Sequence, residues 1–298
     1  MTLRLEGTLT ALVTPFKDDQ SIDWDAFDKH VEAQVAGGVS GIVPCGTTGE
    51  SPTLEHEEEL EMIRRCVKLA KGKCIVLAGT GSNATKTTLQ STQNAVRAGV
   101  DAVMLVVPYY NKPTDDGLYR HFTEVAASVS VPVVLYNIPG RTGIDLNLDT
   151  IGRICETASN VVAVKDATGN VLRAQETVRR FGSRLTVLSG DDGLTLPMIS
   201  VGARGVISVT SNLFPAEVSR VTRLALEGKL EEARREHFAL LPVHEAMFVE
   251  ANPSPLKAVL ADKGRMKDVV RGPLARASES ARARVLAAVK FYEGRAAR

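Results

Sequence analysis

Cysteine is scarce in this 298-residue chain: Cys45, Cys66, Cys74 and Cys155 are the four, and none forms a C-x-x-C pair. A chain of this length buries enough of itself to fold without staples, so a disulfide scaffold is excluded and the four read as reduced, mostly core thiols. The five histidines, His30, His56, His121, His237 and His244, fall in stretches of helical character without H-E-x-x-H or comparable spacing. That excludes a histidine-rich metal centre. Neither sign of charge dominates: 36 Lys and Arg against 35 Asp and Glu leave a formal net charge of +1, too little to gather nucleic acid. No apolar run approaches the ~18 residues of a membrane span, and residues 1–12 carry no apolar leader. Low-complexity tracts and long linkers are absent as well. What remains is a cytoplasmic protein, 44% hydrophobic and 24% charged, large enough for one α/β barrel or two ordinary domains.

Short apolar runs rich in Val, Ile, Leu and Ala recur about every thirty residues, with helical-period stretches between them. They cover residues 8–13, 41–44, 74–78, 102–107, 132–136, 161–165, 185–188 and 205–209. Near-continuous apolar character fits strands covered on both faces, the behaviour of a parallel sheet. Trp24, Phe27, Val31 and Val35 share one helical stripe, as do Ile63, Val67 and Ala70. Three joints repeat one pattern: Gly37-Gly38-Val39, Ala98-Gly99-Val100 and Val201-Gly202-Ala203, each with glycine where a helix stops before the next strand. Eight such units predict a (β/α)8 TIM barrel over residues 1–226. Residues 227–298 read as a C-terminal helical appendage packed on it, with acids and bases at helical spacing, such as Glu231 with Arg235, forming a solvated face.

In a barrel of this kind the site lies where strands run into the following loops. Those ends read Thr14-Pro15, Gly46-Thr47-Thr48-Gly49-Glu50, Gly79-Thr80-Gly81, Pro108-Tyr109-Tyr110, Tyr136-Asn137, Lys165-Asp166, Gly190-Asp191-Asp192 and Ser208. Val161-Val162-Ala163-Val164 puts the Lys165 amine at the end of an apolar strand. Apolar burial favours a neutral, nucleophilic amine that can attack a carbonyl carbon. The alternative is a lysine whose charge is satisfied by Asp166, Asp191 or Asp192. Tyr136 ends the preceding strand, so its phenol is either a proton relay beside that amine or a core tyrosine with a wet hydroxyl. The 46–49 turn offers two hydroxyls and backbone N–H groups to a carboxylate, ahead of a helix expected to begin near Thr53. Arg141, in Ile138-Pro139-Gly140-Arg141-Thr142-Gly143, suits a second carboxylate or simply faces solvent. Asp191 and Asp192 argue against a phosphorylated substrate, and without further ligands they make a poor divalent-cation site.

Five segments then appear in the order and at the strand ends of a known family: Thr10-Ala11-Leu12-Val13-Thr14-Pro15-Phe16, Gly46-Thr47-Thr48-Gly49-Glu50-Ser51, Pro108-Tyr109-Tyr110-Asn111-Lys112-Pro113, Tyr136-Asn137-Ile138-Pro139-Gly140-Arg141-Thr142-Gly143 and Lys165-Asp166-Ala167-Thr168-Gly169. The chain resembles the 4-hydroxy-tetrahydrodipicolinate synthase (dihydrodipicolinate synthase) family, within the N-acetylneuraminate lyase superfamily of pyruvate-dependent class I aldolases. The resemblance implies that Lys165 forms a Schiff base with pyruvate, with Tyr136, Thr48 and Tyr110 as proton relay and Tyr110 reaching into a neighbouring subunit. It implies that Thr47 and Thr48 hold the pyruvate carboxylate, that Arg141 holds the carboxylate of L-aspartate 4-semialdehyde, and that Gly190 and Ile207 line the pocket through their backbones. No metal or organic cofactor is implied, and a homotetramer is. The sialate and 2-keto-3-deoxy sugar-acid lyases share the lysine and tyrosine, but sialate lyases lack the arginine that Arg141 matches. A noncatalytic keto-acid sensor is the rival of another class. Ser51, His56, Glu59, Asn83 and Tyr109 match positions of a lysine effector site, although Thr87 stands where enterobacterial relatives place a glutamate.

Overall fold

A computed structural model describes residues 3–296; the outermost two residues at each end of the chain, and with them the ends of the 1–12 and 227–298 stretches read above, lie outside. Eight parallel strands close on themselves in chain order, with β1 hydrogen-bonded to β8. They are β1 Gly7–Ala11, β2 Gly41–Val43, β3 Ile75–Gly79, β4 Ala102–Val106, β5 Val133–Asn137, β6 Val161–Asp166, β7 Thr186–Ser189 and β8 Gly205–Ser208. Each overlaps one of the eight apolar runs. The covering helices are α1 Trp24–Ala36, α2 His56–Ala70, α3 Thr85–Arg97, α4 Asp115–Ala127, the single turn α5 Pro139–Thr142, α6 Leu148–Thr157, α7 Val171–Phe181, α8 Thr195–Ser200 and α9 Pro215–Leu226. Three more follow the barrel: α10 Leu230–Ala246, α11 Ser254–Asp262 and α12 Glu279–Ala296. The fold is a TIM barrel with C-terminal helices, as the strand count predicts.

Strand side chains alternate between two cores. Leu9, Ala11, Leu77, Ala102, Met104, Val134 and Tyr136 fill the barrel, while Ile42, Val76, Val103, Leu105, Val133 and Leu135 pack outward against the helices. This double burial is why the runs lack a polar face. At the helix-to-strand joints Gly38, Gly99 and Gly202 take φ of 74, 93 and 106°, the left-handed stop that the repeated pattern requires. The C-terminal helices form their own apolar cluster: Val243, Leu256, Val259 and Val285 pack with Val206, Val209 and Leu213 where β8 leaves the barrel.

Two expectations need correction. The helix expected near Thr53 begins at His56, because residues Ser51–Thr53 form a 3-10 turn and the Glu58 carboxylate accepts the Glu55 backbone N–H at 3.0 Å. That capping arrangement sets the boundary where local propensity could not. Glu231 pairs with Arg234 at 2.7 Å rather than with Arg235, whose guanidinium lies 3.7 Å from Glu236. Positions three and four apart share one helix face, so spacing alone leaves the choice open.

Candidate active site

A cavity of about 230 Å³ opens at the C-terminal ends of the strands, lined among others by Thr47, Tyr109, Tyr136, Ile138 and Arg141 above a floor of Met104 and Val106. Tyr136 and Lys165 are register partners on β5 and β6. Lys165 Nζ lies 3.9 Å from the centre of the Tyr136 ring, in cation–π contact, with only 6% of the residue exposed. Lys165 itself is not a lining residue; it stands one side chain behind the cavity surface.

A register shift determines that Lys165 points inward. Val161 pairs with Val133, but the next pair is Ala163 with Val134, so β6 carries one extra residue. Val161 consequently packs outward while Ala163 packs inside the barrel, two residues apart yet on opposite faces. Unbroken alternation from Val161 would have turned position 165 toward the helices; the bulge turns it in.

The three carboxylates that could have neutralised the amine are engaged elsewhere. Asp166 accepts from the backbone N–H and hydroxyl of Thr168 at 2.9 and 2.7 Å, and lies 3.9 Å from Arg173. Asp192 accepts from the Ser208 hydroxyl and, at 2.8 and 3.1 Å, from the N–H groups of Val209 and Thr210, which ties the β7 end to the β8 end. Asp191 caps the turn at Gly193, and burial raises its carboxyl above the ordinary value. Among the described residues Lys165 has no ion-pair partner, and no group of three His, Cys, Asp or Glu side chains could hold a metal ion. Burial pushes His30 and His121 down to about 4 and also lowers His237 and His244, so these imidazoles are neutral near pH 7.

The 46–50 turn is held side chain by side chain. Thr48 is buried and its hydroxyl accepts from Asn252 Nδ2 at 2.9 Å; that hydroxyl's own proton has no acceptor among the described residues. The Gly49 carbonyl accepts from Thr14 Oγ1 at 2.6 Å. Arg141 Nη2 reaches the Asn252 carbonyl at 3.5 Å, so the segment before α11 touches both the hydroxyl turn and the guanidinium. Asn252 lies in Asn252-Pro253-Ser254-Pro255, whose prolines mark only a break between helices. An asparagine between helices carries no signal that it is buried.

The chain matches the dihydrodipicolinate synthetase family model over residues 4–291. It belongs to that family. A 4-hydroxy-tetrahydrodipicolinate synthase of Sorangium cellulosum is 57% identical over 294 residues, 98% of each chain. The structure of the 4-hydroxy-tetrahydrodipicolinate synthase from Methylacidiphilum fumariolicum SolV superposes with a TM-score of 0.96 at 44% identity, covering 99% of this chain and 98% of that one. The dihydrodipicolinate synthase of Aquifex aeolicus gives a TM-score of 0.95 at 42% identity over 97% of this chain and 98% of that one.

The residues matching the family's motifs are only partly brought together. Tyr136, Thr47 and Arg141 line the cavity; Lys165 lies against the Tyr136 ring, and Thr48 is buried next in sequence to Thr47. Tyr110 does not join them: it is 88% exposed, with a left-handed φ of 74°. Gly190 donates its N–H to the Asp166 carbonyl at 2.7 Å, and Ile207 faces the barrel interior. The positions matching an effector site divide between two places. Ser51 and Tyr109 line the strand-end cavity, whereas His56 and Glu59, 3.3 Å apart, line a second, small pocket that shares Gly79 with it, and burial raises the Glu59 carboxyl. The Asn83 carbonyl accepts from Asn111 Nδ2.

Proposed function

We propose that the chain condenses pyruvate with L-aspartate 4-semialdehyde to give 4-hydroxy-tetrahydrodipicolinate, in lysine and diaminopimelate biosynthesis. One observation carries this reading: a buried lysine amine with no ion-pair partner among the described residues, 3.9 Å from the ring centre of a tyrosine that lines a cavity offering hydroxyls and a guanidinium. Lys165 Nζ attacks the keto carbon of pyruvate, water leaves, and the resulting imine acts as electron sink while a methyl proton passes to the hydroxyl relay, giving an enamine. The enamine carbon attacks the aldehyde carbon of the second substrate. That substrate's amine then closes the ring and displaces Lys165, which leaves as the free amine. Tyr136, Thr48 and Tyr110 move the protons, and the unpartnered proton of Thr48 supports its place in that relay. Thr47 and Thr48 hold one carboxylate and Arg141 the other, with Gly190 and Ile207 contributing backbone.

The same reading puts a neighbouring copy's site against the exposed Tyr110, in a cytoplasmic homotetramer. It also assigns Ser51, His56, Glu59, Asn83 and Tyr109 to a lysine effector site; a titration with millimolar lysine that gives neither heat nor a change in activity removes that assignment. The central test mixes the protein with pyruvate and borohydride and measures mass. An adduct on Lys165 that disappears in Lys165→Ala supports the imine. Absence of the adduct, or its persistence in the variant, refutes it. Arg141→Ala should keep the pyruvate adduct while losing use of the semialdehyde, and equal loss of both contradicts its assigned role.

A further inference from the structure

Glu50 ends the hydroxyl turn in left-handed backbone, φ 59°, a conformation that a residue with a side chain keeps only when its surroundings impose it. The surroundings are ionic and dry. Glu50 and Lys257 have fully buried side chains, and Lys257 Nζ donates to Glu50 Oε1 at 2.5 Å and to the Val269 carbonyl at 2.7 Å. Glu50 Oε2 accepts the Arg271 backbone N–H at 2.9 Å. The Phe16 ring covers both cations, its centre 4.2 Å from Lys257 Nζ and 4.5 Å from the Arg271 guanidinium, which grips Glu58 through two bonds of 2.6 Å.

A buried ion pair is a poor way to stabilise a fold, since packed apolar residues of similar size generally do as well. Burial acts against this one directly, pushing the Lys257 ammonium down to about 8 despite the Glu50 carboxylate beside it. Its location suggests a different use. The turn that carries Thr47 and Thr48 is gripped at three successive residues, Thr48 by Asn252, Gly49 by Thr14 and Glu50 by Lys257. Two of those grips come from the segment 252–257, some two hundred residues along the chain.

We propose that the Glu50–Lys257 pair is a positioning device for the first substrate, fixing the 46–50 turn so that Thr47 and Thr48 meet the carboxylate of pyruvate. Lys257 touches no reacting atom; it is a positioning residue that acts through Glu50. This role rests on the pyruvate reading given above.

The test compares wild type, Lys257→Met, the charge-free double variant Glu50→Gln/Lys257→Met, and Val259→Ala. The last removes buried volume from the same helix without touching the turn. For each, thermal unfolding is measured together with the pyruvate concentration that gives half-maximal borohydride trapping, and KM for both substrates. Lys257→Met and the double variant should need roughly tenfold more pyruvate for trapping, with KM for the semialdehyde within about twofold of wild type. Val259→Ala should lose thermal stability and keep its pyruvate dependence. If the double variant folds and traps pyruvate at wild-type concentrations while wild type is trapped normally, the positioning role is wrong and the imine reading stands. If both pair variants are recovered only unfolded while Val259→Ala folds, the pair serves the fold, and the positioning role is equally overturned. A wild type that gives no adduct ends both.

Discussion

Glu50 in the 46–50 turn and Tyr110 and Lys112 in the loop after β4 share left-handed backbone, with φ of 59, 74 and 45°. They are supported in opposite ways. Glu50 is buried, and both of its carboxylate oxygens are bonded from the C-terminal region. Tyr110 projects into solvent; beyond Val107, whose N–H donates to the Tyr136 carbonyl at 2.9 Å, the hydrogen bonds that fasten residues 108–113 among the described residues are the Asn111 N–H on the Tyr109 carbonyl at 2.9 Å and Asn111 Nδ2 on the Asn83 carbonyl at 2.8 Å. Left-handed backbone costs a side-chain-bearing residue of order 1–3 kcal/mol. In the first turn this chain offsets that cost with its own contacts. In the second it does not, which is the arrangement expected where a second copy completes the loop, as the proposed tetramer requires.

The sharpest way to break this contrast is Lys257→Met. It leaves the Glu50 carboxylate buried and unpaired, and should cost about 3–5 kcal/mol in urea unfolding, while the charge-free double variant recovers most of that loss. Tyr110→Phe, at the other turn, should change the stability of the isolated chain by less than about 0.5 kcal/mol. Its effect belongs to turnover, which should fall about a hundredfold or more if the hydroxyl relays a proton. Comparable stability losses at the two sites would show that the loops are not differently supported.

The strands were legible because a parallel barrel buries both faces of each one, and eight apolar runs survive as eight strands displaced by a residue or two. Lys165 could be singled out by its place after Val164, but its orientation could not. The extra residue in β6 reverses the alternation between Val161 and Ala163, and nothing in four consecutive apolar residues marks a bulge. Whether Asp166, Asp191 or Asp192 neutralises that lysine was likewise undecidable: Asp166 is taken by Thr168 and Asp191 by Gly193, local choices that spacing does not fix, and Asp192 by donors at the β8 end that only the fold brings near. The pairing of Glu50 with Lys257 escaped notice for a related reason. Glu50 stands in the hydroxyl turn and Lys257 in the C-terminal helical stretch, and 207 positions separate them. Long-range polar pairing leaves no periodicity for a single sequence to display.

Two smaller substitutions sharpen the comparison one bond at a time. Thr14→Val keeps the shape of a fully buried residue but deprives the Gly49 carbonyl of its 2.6 Å donor, and should cost about 1–3 kcal/mol with a modest rise in pyruvate KM. Asn111→Ala removes the exposed bond that fastens the Tyr110 loop and should cost less than about 1 kcal/mol, read from the urea midpoint. A larger loss at Asn111 than at Thr14 would invert the proposed order of support.

The pH dependence of the pair is the most discriminating test, because two readouts move in opposite directions. Burial brings Lys257 down to about 8 in the folded chain against an ordinary value of 10.5, with Glu50 holding its proton on and Arg271 adding to the fall. Below about pH 8 folded and unfolded chains both carry that proton, so the cost of the buried ammonium is constant. Between about 8 and 10.5 the unfolded chain binds a proton that the folded chain has released. Stability from this group then rises with pH, by at most about 1.4 kcal/mol per pH unit. Measured against the Glu50→Gln/Lys257→Met variant, which lacks the group, the urea midpoint of wild type should therefore gain above pH 8 and stay level below it. Releasing the ammonium also weakens its hold on the Glu50 carboxylate, so the pyruvate dependence of wild type should worsen relative to the double variant over the same range. A pair kept for stability alone would show the first change without the second.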